Sequence, residues 1–158
     1  VPDVENAWKS DYYLQNEVAF GELVRGMHHW GASLVIVMMF LHTLRVFFTG
    51  SYKKPRELNW IVGVGIFGVM MGLGFTGYLL PWDMKALFAT KVGIEIAASV
   101  PFIGEYIKIL LAGDSTILGA QTLTRFFAIH VFFLPAALFA LLAAHFIMIR
   151  RQGISGPL

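Results

Sequence analysis

The stretch MHHWGASLVIVMMFLH, residues 27–42, puts three histidines into a run apolar enough to lie inside a membrane. A polar ring in hydrocarbon is costly unless something bonds it, so each imidazole in such a run needs a partner or a task. Two of these histidines are adjacent and the third is at the far end, and finding their partners decides the fold.

The whole chain has the same character. Its 158 residues are 57% hydrophobic and only 14% charged, and the mean hydropathy of +0.67 lies outside the usual range of soluble domains. No nucleic-acid partner is expected. There is no cysteine, so these residues provide no disulfide, thiolate metal site, iron-sulfur cluster or covalent c-type haem attachment. The opening VPDVENAWKSDYYLQNE is polar, lacks an initiating Met and has no secretory pattern, and reads as a cut through a longer protein.

Apolar windows at 30–48, 60–80 and 126–149 each approach the roughly 20 residues that cross a hydrocarbon core. They predict an all-α membrane protein forming one domain over 1–158, with transmembrane helices at about 28–48, 60–80 and 124–149. Lys53, Lys54 and Arg56 in the first turn, Arg45 before it, and Arg150 and Arg151 after the last span put those ends inside. Asp3, Glu5, Asp11, Glu17, Glu22, Asp83, Glu95, Glu105 and Asp114 mark the outer side. From Pro81 to Gln121 apolar and charged residues alternate, which predicts short amphipathic helices at the outer interface, about 84–98 and 103–112.

All five histidines, His28, His29, His42, His130 and His145, belong to the first and third spans. A helix turns about 100° and rises about 1.5 Å per residue. His28 and His42 then stand about 40° apart in azimuth and about 21 Å apart in height, whereas His29 points about 140° away from His42. His130 and His145 repeat the pattern at about 60° and about 22 Å. Both spans run inward, so His28 pairs in depth with His130 and His42 with His145. Two facing imidazoles with no carboxylate or thiolate at their level suit a six-coordinate haem, which brings its other four ligands, better than zinc or copper. A hydrogen bond to a neighbouring helix is the ordinary explanation of a lone intramembrane histidine; four at two levels argue against it.

The second span contributes glycines. Gly63, Gly74 and Gly77 share one face, with Gly63 and Gly77 falling at the inner and outer histidine levels, and they leave space for a porphyrin edge. Gly65, Gly68 and Gly72 form the opposite stripe and read as helix packing. Arg25 and Arg45 flank His28 and His42 and are candidates for haem propionates, with snorkelling as the other reading; Arg125 is a further candidate. Pro135 predicts a kink in the third span.

RGMHHWGASLVIVMMFLHTLRVF, YKKPRELNWIVG, GFTGYLLPWD, QTLTRFFAIHVFFLP and MIRRQGISGPL resemble the di-haem cytochrome b of quinol-oxidising bc and b6f complexes. MHHW and GYLLPWDMKALFATK look most like the b6-type subunit of Gram-positive menaquinol:cytochrome c reductases. The resemblance implies two b-type haems, the outer on His28 and His130 and the inner on His42 and His145. It implies quinol oxidation near the outer surface, one electron leaving to a Rieske iron-sulfur protein and the other crossing through both haems to an inner quinone-reducing site, with proton translocation. Phe88, Ala89 and Val92 are carried over as walls of the quinol pocket; Ala89 stands where mitochondrial members have glycine. Further implied are menaquinol as substrate, a cytochrome c-type subunit, a separate subunit with the C-terminal half of cytochrome b, a dimeric complex and multi-pass placement in a bacterial plasma membrane. The family's first helix, which completes a four-helix bundle and in b6-type members carries an extra haem, is missing here and is expected as a partner segment. The chain alone is then expected to be inactive. A di-haem quinone-reactive anchor of a dehydrogenase or hydrogenase, and a proton-relaying transporter or channel, are the alternatives.

Overall fold

The computed structural model describes residues 2–113 and 118–155. Asp114 and residues 156–158 of the C-terminal motif lie outside the described residues. The elements are α1 (Ala7–Asn16), α2 (Gly21–Phe48), α3 (Glu57–Tyr78), α4 (Met84–Ala98), α5 (Gly104–Ala112), α6 (Ala120–Ala128), a π turn (Ile129–Phe133) and α7 (Leu134–Gln152). Among the described residues helices are the only regular elements, and three helical stretches are long and apolar enough to span a bilayer: Gly21–Phe48, Glu57–Tyr78 and Ala120–Gln152.

The polar start folds into a helix that composition did not suggest. Asp3 nucleates it: its carbonyl accepts from the Ala7 amide at 2.7 Å, and its carboxylate accepts from Asn6 Nδ2 at 2.5 Å. Arg25 then holds α1 to α2, donating through Nε and Nη2 to the two Asp11 oxygens at 2.7 and 2.6 Å and through Nη1 to Gln15. This fork-on-carboxylate geometry is the strong form of an ion pair. It extends α2 upstream of the apolar window, so the 28-residue helix is about 42 Å long and its first turns stand outside the hydrocarbon.

The third span is one continuous helical stretch interrupted by the π turn. Pro135 has no N–H to bond a preceding carbonyl, and the wider turn just before it accommodates the loss. A π turn takes up one residue more than an α turn. The fifteen residues from His130 to His145 therefore advance as about fourteen, and their azimuthal separation closes from about 60° to about 40°. That is the angle between His28 and His42 on α2.

The buried core lies toward the outer end. Leu79, Ala86, Ile94, Ala112 and Phe126 cluster where α4, α5 and α6 pack on the end of α3, with Phe75, Trp82 and Leu87 around them. Asp83 caps α4, its Oδ1 accepting from the Ala86 amide at 2.8 Å. The α5 carbonyls are closed by α6: Thr122 Oγ1 donates to Ala112 at 2.8 Å, and Arg125 Nη1 donates to Ile109 and Leu110 at 2.6 and 2.7 Å. By contrast α2 has no buried residue. It touches α1 and a short part of α3, and its backbone stays clear of α7.

Asp83→Ala removes the α4 cap and is expected to destabilise that turn by about 1 kcal/mol. Hydrogen exchange at the Ala86 amide should accelerate about fivefold, while Asp83→Asn keeps the native rate.

Candidate functional site

The gap between α2 and α7 is where the histidines meet. At the outer level His28 projects from α2 and His130 from the π turn, and their ring centres are 6.2 Å apart with the planes at 61°. Two imidazoles bonded to one metal from opposite sides, at about 2 Å per bond, hold their ring centres about 6 Å apart. The spacing fits two rings that would hold one metal between them.

His130 is set for that role by α3. Its Nδ1–H donates to the Leu73 carbonyl at 3.0 Å, which leaves Nε2 as the nitrogen with the free lone pair. Gly77 provides the room: a Cβ there would lie 2.5 Å from His130 Cε1 and 2.9 Å from Nδ1. The ring itself occupies the space that the sequence reading gave to a porphyrin edge.

At the inner level His42 and His145 line a cavity of about 900 Å³ together with Met39, Thr43, Arg45, Asn59 and Gly63. A Cβ on Gly63 would meet His145 Cε1 at 3.6 Å, an ordinary contact, so here the glycine keeps open space. The buried Asn59 Oδ1 has no hydrogen-bond partner, and the buried His145 Nδ1 has none among side chains, its ring lying against the Asn59 backbone. Unpartnered polar atoms beside an apolar cavity fit a group that is bound there. Among the described residues no three His, Cys, Asp or Glu side chains gather as a metal cluster. A bare ion would want more protein ligands than a facing pair offers, while a haem brings four of its own.

The other candidates divide. Arg45 lines the inner cavity. Arg25 is engaged by Asp11 and Gln15, and Arg125 by the α5 carbonyls, so each already has protein partners. His29 turns away, edge-on to Trp30 at 5.5 Å. Phe88, Ala89 and Val92 lie together on the exposed face of α4, opposite the buried Ala86, Thr90 and Ile94. Gly65 and Gly72 face Leu141 and Leu134 of α7 and act in packing; Gly68 meets nothing within 4 Å.

Sequence reasoning missed Arg56. It lines the inner cavity and ties down the C-terminal segment, donating to the Gly153 and Ile154 carbonyls at 3.3 and 3.2 Å. Its place in a basic cluster carried only a topology signal.

Comparison with known proteins gives a consistent set. The family model described as Cytochrome b(N-terminal)/b6/petB matches residues 33–158. The chain is 83% identical over 158 residues to the menaquinol:cytochrome c reductase cytochrome b subunit of Geobacillus thermodenitrificans, covering all of this chain and 70% of that one. It is 82% identical, with the same coverage, to the corresponding subunit of Bacillus subtilis (strain 168). Cytochrome b6 of Synechocystis sp. is 47% identical over 157 residues, 99% of this chain and 70% of that one. Among solved structures, a chain of a hyperthermophilic respiratory Complex III superposes with a TM-score of 0.89 at 32% identity, over 99% of this chain and 42% of that chain.

Gly77→Ala should push the His130 ring out of place and remove about half of the b-type haem held by this chain's histidines in the assembled protein, since one of two levels is lost. Gly63→Ala meets no protein atom closer than 3.6 Å and should leave the outer level intact. Haem-to-protein ratio and the reduced-minus-oxidised spectrum of the two variants check this.

Proposed function

The chain belongs to the cytochrome b(N-terminal)/b6 family, and on that premise we propose how its residues serve a quinol:cytochrome c oxidoreductase. It is a cytochrome b subunit of the menaquinol:cytochrome c reductase and b6f type, a membrane protein that works in a complex with other subunits and holds b-type haem. Its similarity to reductase subunits favours this over a dehydrogenase or hydrogenase anchor.

Two haems are bound, one by His28 and His130 and one by His42 and His145. The observation that carries this is the pairing of α2 imidazoles with those of the third span at two depths, His28 with His130 of the π turn and His42 with His145 of α7, with the outer rings 6.2 Å apart. A b-type haem, when bound, supplies reversible one-electron exchange at its iron. The protein's part is to hold the rings and exclude water. The Leu73 carbonyl fixes the tautomer of His130, Gly77 admits its ring, and the apolar spans keep both levels dry. About 21 Å of helix separates the levels, a distance over which a bare charge in hydrocarbon would be costly. Arg45 lines the inner cavity and would meet the propionates of a haem bound there. Arg25 and Arg125 stabilise α1 and α5 instead.

Quinol is oxidised at the outer face and quinone reduced at the inner one, with proton translocation. Phe88, Ala89 and Val92 contribute one wall of the outer quinol pocket; their exposure in the isolated chain fits a wall completed by another subunit. Menaquinol is the substrate, in keeping with the names of the reductase relatives. The partners are a Rieske protein, a cytochrome c-type subunit, the subunit with the C-terminal half of cytochrome b and a further helix closing the bundle beside α2. That helix would carry the third haem of b6-type members. The complex is a dimer in a bacterial plasma membrane, and this chain does not turn over alone.

In the assembled complex a redox titration of the reduced b-type band should resolve two components. His42→Leu should remove one, about half of the signal, and His29→Leu neither. Purification through this chain should bring a Rieske protein; a preparation with haem but a dehydrogenase partner would overturn the reaction class.

A further inference from the structure

We propose that Thr76 is a positioning residue for His130, its side-chain oxygen sharing the ring's Nδ1–H with the Leu73 carbonyl and so tuning the outer haem alone. The inference rests on the reading that His130 ligates that haem.

Thr76 lies one turn beyond Leu73 on α3 and is 3% exposed. Its Oγ1 lies 2.8 Å from the Gly72 carbonyl, 3.3 Å from the Leu73 carbonyl and 3.2 Å from His130 Nδ1. A hydroxyl has a single proton. The shortest of these contacts takes it, because the Gly72 oxygen can only accept. Toward His130, therefore, Oγ1 presents a lone pair, and the ring nitrogen must be the donor. The Nδ1–H is then divided between two acceptors, the Leu73 oxygen at 3.0 Å and Thr76 Oγ1 at 3.2 Å.

The arrangement has two consequences. First, protonation at Nδ1 leaves Nε2 as the only possible ligand atom, and two acceptors on one N–H resist rotation of the ring better than one. Second, both acceptors draw on the N–H bond and make the imidazole a more basic ligand, which favours the oxidised metal. The inner level has no counterpart of Thr76: the His145 ring is drawn to the Asn59 backbone, and no side-chain oxygen pairs with its Nδ1. Thr76 therefore acts on one of the two sites, and its loss should be felt there only.

The test is made in the complete complex with Thr76→Val, which keeps the shape and removes the oxygen, and Thr76→Ser, which returns it. The outer component is identified as the one lost in His28→Leu. If no component is lost in His28→Leu or His130→Leu, the underlying reading fails, whatever Thr76 does. With that reading intact, Thr76→Val should keep both haems, shift the outer midpoint potential upward and alter the outer ferric EPR signal, with the inner component unmoved; Thr76→Ser should restore both values. An unchanged outer potential and EPR signal in Thr76→Val overturns the proposal, as does an equal shift of both components. Should Thr76→Val lose the outer haem, the serine variant decides: retention with native potential upholds the role of the oxygen, and loss assigns the residue to packing alone. Should Thr76→Val fail to assemble, Thr76→Ala is measured against the same criteria.

Discussion

On the proposed reading, two imidazoles from different helical spans must reach the same depth and face each other across a gap, and this must happen twice. Much of the molecule follows from that constraint. Helices α2 and α7 make no backbone contact, and the cavity between them is lined by His42 and His145, the space that the rings and a bound group would take. Helix α3 lies against α7, and its small residues serve two purposes: Gly65 and Gly72 admit leucines that bind the helices together, and Gly77 admits the ring of His130. The π turn belongs to the same solution. It absorbs the extra residue between His130 and His145 and brings their angular separation to that of the α2 pair.

Where the chain buries its side chains makes sense on the same terms. Spans in a bilayer gain nothing from hiding leucine from lipid, so their association depends on close packing and on satisfied polar groups. The core therefore gathers at the outer end, where α4, α5 and α6 fold over α3 and water is the competing environment. The α5 carbonyls closed by Thr122 and Arg125, and the α4 amide capped by Asp83, are the polar side of that packing. The long exposed face of α2 is what a bound cofactor and a neighbouring helix would cover.

The spans and the histidine levels were legible because both are periodic. A hydropathy window needs only length, and a ligand pair on one helix needs only the angle per residue. Long-range choices were not legible. Helix α1 reads in the sequence only as a polar opening segment, because what docks it on α2 is Arg25 gripping Asp11, fourteen positions away, and no local pattern announces that bond. The same contact explains why Arg25 has a protein partner where spacing suggested a propionate. Arg125 turned to the ends of α5 for a similar reason: unpaired carbonyls at a helix terminus compete for any nearby guanidinium. Pro135 signalled a disturbance in the third span, but proline spacing does not say whether the backbone kinks or widens. Arg56 was hidden by its own cluster, since basic residues at an inner turn are expected on topology alone.

The central claim is that this chain holds two irons, each between two imidazoles. Near-infrared magnetic circular dichroism of the oxidised complex, which reports axial ligand type directly, tests it most closely. Besides the signals of the c-type and further haems, two low-spin ferric centres of bis-histidine type are predicted, one lost in His28→Leu and the other in His42→Leu. A single bis-histidine centre dependent on these histidines, or none lost in either variant, would contradict that claim.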